Sequence, residues 1–131
     1  MVSSSKPRRI LIVDGSPDSA EILTELLQTQ GYEVRKTFDA STGLAEAARF
    51  YPHVICSNIR MAKVSGLDLA VELRKSSHSK SALLIAITGL SGQYAASEIT
   101  NAGFDINLCK PFAFEKFFRI LDDFFDDIEN L

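Results

Sequence analysis

Residues 9–17 of the chain read Arg-Ile-Leu-Ile-Val-Asp-Gly-Ser-Pro. The nearly continuous aliphatic run over 9–13 is typical of a strand that is buried on both faces of a sheet. Ser16 followed by Pro17 is a typical helix start, with serine as the N-cap and proline at the first helical position. This stretch therefore predicts a buried strand that leads through a short turn into a helix.

The same alternation of strand and helix continues along the chain. Further strands are predicted over 32–38, 53–57, 82–87 and 105–109, and further helices over 40–50, 67–75 and 91–101, with a long final helix after Pro111. Five strands alternating with five helices predict an α/β fold, in which helices cover both faces of a parallel sheet. We expect residues 1–7 to be a flexible N-terminal segment and residues 8–131 to form one domain.

Composition and charge narrow the class of protein. A chain of 131 residues with 46% hydrophobic and 24% charged residues fits one ordinary globular domain. Its apolar runs have the length of strands, and its net charge of −3 argues against binding nucleic acid through bulk electrostatics. The N-terminus has no apolar signal-peptide core, and the two cysteines lack metal-type spacing, so we expect a cytoplasmic protein without membrane contact.

Polar residues stand where several of the predicted strands end. Asp14 and Gly15 follow the first strand, Asn58 the third, Thr88 the fourth and Lys110 the fifth. Ligands of such sheets bind at the carboxyl ends of the strands, so we expect these residues to converge there. Lys110 is expected to reach toward Asp14, with which it would form a structural ion pair, or toward the Asn58 amide. Thr88 either caps the following loop or binds a ligand.

These strand ends carry a family resemblance. The chain resembles the response-regulator receiver domain of the CheY-like superfamily from about Arg8 to Ile128. The matching pieces are 10–14, the segment 54–66 with Ile-Arg-Met at 59–61, Thr88-Gly89, and 110–112. The resemblance implies a flavodoxin-like doubly wound sheet of five strands in the order 2-1-3-4-5 with five helices. It also implies an aspartate that accepts a phosphoryl group from a histidine kinase, an acidic pair that binds Mg²⁺, and a hydroxyl residue and a lysine that bind phosphoryl oxygens.

The chain departs from that family pattern at four positions. Asn58 occupies the phosphoacceptor position, Gly15 replaces one acid of the metal-binding pair, Ala62 replaces a proline, and Asn107 replaces a switching aromatic residue. An amide cannot form an acyl phosphate, and a pocket with one carboxylate and one lysine is about neutral. We therefore expect weak or absent Mg²⁺ binding, no enzymatic activity, and signalling that does not depend on phosphorylation.

Two alternatives remain open at the level of the sequence. The first is a phosphorelay receiver that still accepts a phosphoryl group, either through another residue or because Asn58 is an engineered change. Four departures argue against engineering, since one substitution suffices to silence an acceptor. The second is a flavin-binding domain, which is disfavoured because the loop after the first strand carries two acids and a proline rather than a glycine-rich phosphate cradle.

The final helix and strand five offer a candidate interaction surface. Apolar side chains recur at helical spacing from Phe114 to Ile128 within an arc of about 120°. Most of this arc is expected to face the core, and its edges to meet a partner. The candidate residues are Asn107, Phe117, Phe118, Phe124 and Phe125, and the expected partners are a histidine kinase, a downstream effector, or a second copy in a homodimer through this face. Cys56 and Cys109 are expected to be buried free thiols.

Overall fold

The computed structural model describes residues 7–89 and 94–130. The strands are β1 (Arg9–Val13), β2 (Glu33–Thr37), β3 (Val54–Asn58), β4 (Leu83–Thr88) and β5 (Ile106–Cys109). The helices are α1 (Pro17–Thr29), α2 (Ala40–Phe50), α3 (Gly66–Lys75), α4 (Ala96–Ala102) and α5 (Phe114–Glu129). Among these elements no helix is long and apolar enough to cross a membrane.

The five strands form one parallel sheet in the order β2-β1-β3-β4-β5. This confirms the predicted flavodoxin-like topology, in which the central strands come from distant parts of the chain. Predicted element bounds differ by a residue or two at most ends. Of the helix predicted over 91–101, residues 91–93 lie outside the described residues, and α4 begins at Ala96. The predicted flexible segment 1–7 lies outside them as well, apart from Pro7.

The core has two halves, one on each face of the sheet. Leu11 and Ile55 face α2 and α3, whereas their neighbours Ile10 and Val54 face α1 and α5. Both sets are fully buried, because successive side chains of a strand point to opposite faces and both faces are covered. This explains why the predicted central strands read as continuous aliphatic runs.

Side chains cap the first three helices. Ser16 accepts a hydrogen bond from the Ser19 N–H at 3.4 Å, and Asp39 accepts one from the Thr42 N–H at 2.8 Å. Ser65 does the same for Asp68. Each cap satisfies a backbone donor that would otherwise lack a partner in the first helical turn. Because α1, α2 and α3 each follow a strand through a short loop, these capped helix starts lie near the carboxyl ends of β1, β2 and β3.

The burial expected for three residues is wrong. Phe117 and Phe125 were expected to contribute to an interaction surface, but they are 0% and 1% exposed because α5 turns them onto the sheet. Cys109 was expected to be buried but is exposed, because β5 is an edge strand and alternation turns Cys109 away from the buried side of Leu108. Cys56 is buried as expected, and burial raises the pKa of its thiol to about 12.

Candidate functional site

The carboxyl ends of β1 and β3 are joined by a side-chain hydrogen bond. Asn58 Nδ2 donates to Asp14 Oδ1 at 2.8 Å, across 44 residues of sequence. The Ser16 N–H donates to the same oxygen at 2.9 Å. Asp14 is only 4% exposed, so these two donors compensate a carboxylate that has lost most of its contact with water.

The amide at position 58 is essential to this arrangement. An ionised carboxylate at that position has no hydrogen to donate and would face Asp14 as a like charge. The carboxamide instead presents an N–H group to Asp14 and carries no charge. The contact between Asp14 and Asn58 therefore forms without a cation between the two side chains.

The loop after β3 is held close to Asn58 by a glycine. The Gly66 N–H donates to the Ile59 carbonyl at 2.7 Å, and a Cβ atom at Gly66 would lie 2.1 Å from the Asn58 carbonyl oxygen. The Ser57 hydroxyl is buried and donates to the same Asn58 oxygen at 2.8 Å. The sequence analysis missed this role of Gly66, for which its place just before the helix predicted over 67–75 was the only available signal.

Gly15 leaves room for a side chain that the sequence does not supply. A Cβ atom built there would have its nearest neighbours at 3.8 and 3.9 Å, which is ordinary van der Waals contact. The pocket thus has one carboxylate, Asp14, already engaged by two hydrogen-bond donors. This donor set does not fit Mg²⁺, which prefers several hard oxygen ligands with carboxylates supplying charge. No cluster of three or more histidine, cysteine, aspartate or glutamate residues with metal-binding geometry occurs in the described ranges.

Thr88 is connected to strand β5 rather than to Asp14 or Asn58. Its hydroxyl donates to Asn107 Oδ1 at 3.0 Å and lies 3.4 Å from the Leu108 carbonyl. Asn107 is exposed, as its role as an interaction candidate requires. The described hydrogen bonds of Thr88 therefore join β4 to β5, a pairing that the sequence analysis did not anticipate.

The expected ion pair between Lys110 and Asp14 is wrong. Lys110 is exposed at the end of β5, and within the described part of the chain no ion pair of 4.0 Å or less includes it. Its backbone N–H donates to the Thr88 carbonyl at 2.8 Å, which places it at the expected strand end. Lys110 lies exposed just beyond β5, where its ammonium keeps its hydration, and Asp14 Oδ1 accepts hydrogen bonds from the Asn58 amide and the Ser16 N–H instead.

Comparison with known proteins agrees with this architecture. Residues 10–122 match the sequence model of the response regulator receiver domain family. The chain is 28% identical over 108 residues to the DNA-binding dual master transcriptional regulator RpaA of Synechocystis, covering 82% of this chain but only 45% of RpaA. It is 22% identical over 121 residues to the polar-differentiation response regulator DivK of Brucella anthropi, covering 92% of this chain and 98% of DivK.

Solved structures share the fold closely. A CheY-like response regulator receiver domain protein from Methanospirillum hungatei superposes with a TM-score of 0.86 at 24% identity, over 95% of this chain and 98% of that one. The match to the family extends over most of the chain, from residue 10 to residue 122. The chain therefore belongs to the response regulator receiver domain family.

Proposed function

We propose that this receiver domain signals without taking up a phosphoryl group and acts as a protein-interaction module. The observation that carries the proposal is the 2.8 Å hydrogen bond from Asn58 Nδ2 to Asp14 Oδ1. The amide is a poor nucleophile, cannot become an acyl phosphate, and occupies the oxygen that a metal would need. Mg²⁺ binding by this pocket is accordingly weak or absent.

Two links across the sheet support a pocket with one stable arrangement. Asn58 and Asp14 join β3 to β1, and Thr88 and Asn107 join β4 to β5. Both links form between groups of the chain itself and need no added charge. A partner would therefore bind a preformed surface, and its binding would not require phosphorylation of the domain.

The proposed partners follow from the family. They are signalling proteins, either a histidine kinase or a downstream effector, in the cytoplasm. The domain has no catalytic role in this proposal, and its net charge of −3 disfavours direct contact with nucleic acid. A homodimer through β5 and α5 remains a prediction that sedimentation equilibrium tests.

The decisive experiment is incubation of the unmodified protein with a small-molecule phosphodonor and Mg²⁺, followed by intact-mass analysis. We expect no mass increase from a phosphoryl group. Amide NMR signals of Asp14, Asn58 and Thr88 should also stay in place when beryllofluoride and Mg²⁺ are added together. A phosphoryl adduct mapped to this pocket would overturn the proposal and favour the phosphorelay alternative.

A further inference from the structure

Helix α2 ends in a strained residue beside the amino end of β3, at the end of the sheet opposite to the Asp14–Asn58 pocket. Tyr51, the C-cap, has a left-handed backbone with φ 52° and ψ 58°. This conformation suits glycine, whereas the Cβ atom of a tyrosine makes it unfavourable. The Arg9 guanidinium stabilises it by donating to the Tyr51 carbonyl at 2.7 and 3.0 Å. Such strain at a surface residue indicates a role for its side chain.

The Tyr51 ring is directed to solvent rather than into the core. The residue is 52% exposed. Its ring meets the His78 ring edge-on, with centroids 5.0 Å apart and an interplanar angle of 82°. His78 lies in the loop between α3 and β4, so the contact joins the end of α2 to a second segment. The ring is thus exposed but held in one orientation, which reduces the entropy that a partner loses when it packs on the ring.

Three exposed cations lie close to this aromatic pair along the chain. Arg49 is two residues before Tyr51, in the last turn of α2. Lys80 is two residues after His78, and Lys75 ends α3 three residues before it. We call these five residues the Tyr51 surface.

Neighbouring acids leave much of this positive charge uncompensated. Glu46 lies 3.4 Å from Arg49 but also binds Arg35, so one carboxylate is shared by two guanidinium groups. Lys75 has a long, exposed pair of 3.4 Å with an acid one helical turn earlier, which contributes little. Within the described residues Lys80 takes part in no ion pair of 4.0 Å or less. A basic surface on a chain of net charge −3 favours an acidic partner.

The helix dipole accounts for only part of this pattern. Cations in the last turns of α2 and α3 suit the negative ends of those helices. The dipole does not require Lys80, which lies in the loop before β4. It also does not require an exposed tyrosine at a backbone position that suits glycine.

We propose that the Tyr51 surface binds an acidic segment of a partner protein. An aromatic side chain of that segment packs on the exposed Tyr51 ring, and its carboxylates lie against Arg49, Lys75 and Lys80. A protein segment suits this surface better than a lipid bilayer, because the surface offers one fixed ring and no group of apolar side chains to enter the membrane. This inference rests on the proposed function, since it names the kind of partner that the interaction module binds.

The test uses a synthetic peptide of about 12 residues, long enough to cross the Tyr51 surface when extended, with aspartate and glutamate around a central phenylalanine. Titration into the ¹⁵N-labelled protein should shift amide signals of residues 49–53 and 75–81. A peptide with lysine in place of the acids should bind far more weakly, and so should one with alanine in place of phenylalanine. Vesicles of phosphatidylcholine and phosphatidylserine and a single-stranded oligonucleotide serve as other anionic probes, and neither should shift these signals comparably.

Matched variants separate docking from general attraction. The change Tyr51→Gly removes the ring at a backbone position that suits glycine, so the protein should fold and bind the acidic peptide about three- to tenfold more weakly. The double change Arg49→Gln and Lys80→Gln should weaken binding about fivefold. The double change Lys63→Gln and Lys116→Gln alters the net charge equally outside this surface and should weaken binding less than about twofold.

Several outcomes would overturn this inference. They are unchanged binding by Tyr51→Gly, equal weakening by the two charge pairs, equal binding of the lysine peptide, and shifts confined to other residues. Tighter binding of the vesicles or the oligonucleotide at the same residues would assign the surface to lipid or nucleic acid instead. Absence of peptide binding would overturn this inference and leave the proposed function standing. Phosphorylation of the unmodified protein would overturn the proposed function, whereas peptide shifts at 49–53 and 75–81 would still support the surface.

Discussion

At the scale of single residues, Asn58 differs from an ionised aspartate in that its side chain can donate a hydrogen bond, and the pocket uses this donor. Its amide donates a hydrogen bond to the buried Asp14 carboxylate, whereas a carboxylate could only repel it. Asparagine at position 58 therefore stabilises the folded domain, in addition to removing the side chain that could accept a phosphoryl group. In the metal-free domain the Asn58 amide thus donates to the Asp14 carboxylate and faces no like charge.

The variant Asn58→Asp should therefore lose stability in the absence of metal. We expect a decrease of about 1–3 kcal/mol in the free energy of unfolding at neutral pH, because a donor is lost and two carboxylates meet. The loss should shrink at acidic pH, where protonation restores a donor. Urea unfolding with EDTA present measures it. The control is Asn107→Asp, which keeps an oxygen acceptor for Thr88 at an exposed site and should change stability by less than about 0.5 kcal/mol.

His53 should make stability depend on pH. Burial lowers the pKa of this ring, the nearby Arg9 charge lowers it further, and Glu129 opposes the shift. The Arg9 N–H also donates to Nδ1 at 3.0 Å, which requires the unprotonated nitrogen. Because the folded pKa lies below the unfolded value of about 6.5, the stabilisation is complete above pH 6.5 and is lost as pH falls through the folded pKa.

Urea unfolding at a series of pH values between 7.5 and 5 checks this expectation for His53. The variant His53→Gln should flatten the decline over that window. Glu21, Asp39 and Glu129 do not obscure the result, because hydrogen bonds from Lys36, Thr42 and Arg8 respectively lower their pKa values, so they titrate at more acidic pH. An unchanged slope in the variant would show that another group controls stability in this range.

At the scale of elements, Arg74 joins α3 to two loops. Its guanidinium donates to the carbonyls of Gly103 at 2.9 Å, Lys80 at 2.9 Å and Ala82 at 2.8 Å, and to Asp105 Oδ2 at 2.7 Å. Arg74 is three-quarters covered, with 26% of its side chain exposed. One side chain thus satisfies acceptors before β4 and before β5, which positions the starts of both strands.

Truncation of Arg74 should leave these acceptors without a donor. We expect Arg74→Ala to lower the free energy of unfolding by about 2–4 kcal/mol, and Arg74→Lys to recover little, since an ammonium lacks the planar fork. Thermal unfolding followed by circular dichroism provides the measurement. The neighbouring Lys75→Ala removes only an exposed pair with Glu72 at 3.4 Å and should change stability by less than about 0.5 kcal/mol. Equal destabilisation by Arg74→Ala and Lys75→Ala would contradict this role of Arg74.

Gly66 determines how closely the β3–α3 loop approaches the strand end. An alanine Cβ there would lie 2.1 Å from the Asn58 carbonyl oxygen and 2.7 Å from Ile59 Cα, both backbone atoms. We expect Gly66→Ala to cost about 2 kcal/mol or more and to move the Asn58 amide signals in an NMR spectrum. Gly15→Ala, whose Cβ has 3.8 Å of clearance, should be tolerated within about 0.5 kcal/mol. A well-folded Gly66→Ala protein with unshifted Asn58 signals would refute the close-approach argument.

At the scale of the whole molecule, metal chemistry needs groups from both the β1 and the β3 end. Neither Gly15→Asp nor Asn58→Asp alone supplies enough charge for Mg²⁺, because each leaves the other ligand position empty. The two changes together should bind Mg²⁺ and accept a phosphoryl group far better than either one. We expect a coupling of about 1–3 kcal/mol in the Mg²⁺ binding free energy, measured by calorimetry on the four proteins of the cycle. Additive effects would argue against a shared ion site.

Local patterns determined the order and type of elements. Aliphatic runs such as 9–13 and the serine–proline start at 16–17 are properties of neighbouring residues, and β1 and α1 begin and end close to the predicted positions. The parallel topology follows from that alternation, since strand–helix–strand units have few allowed connections. The polar residues at the strand ends, including Asn58, could be located in the sequence because each directly follows a predicted strand.

Tertiary structure decided which of those groups meet. Asp14 binds Asn58 rather than Lys110, and Thr88 binds Asn107, through contacts between residues that are 44 and 19 positions apart. Helical periodicity showed that α5 has an apolar arc, but only packing on the sheet buries Phe117 and Phe125 while leaving Phe124 at a groove. Likewise Cys109 is exposed because β5 is the edge strand. A residue's type and spacing reveal its local preference, whereas its partner and burial depend on which distant elements the fold places beside it.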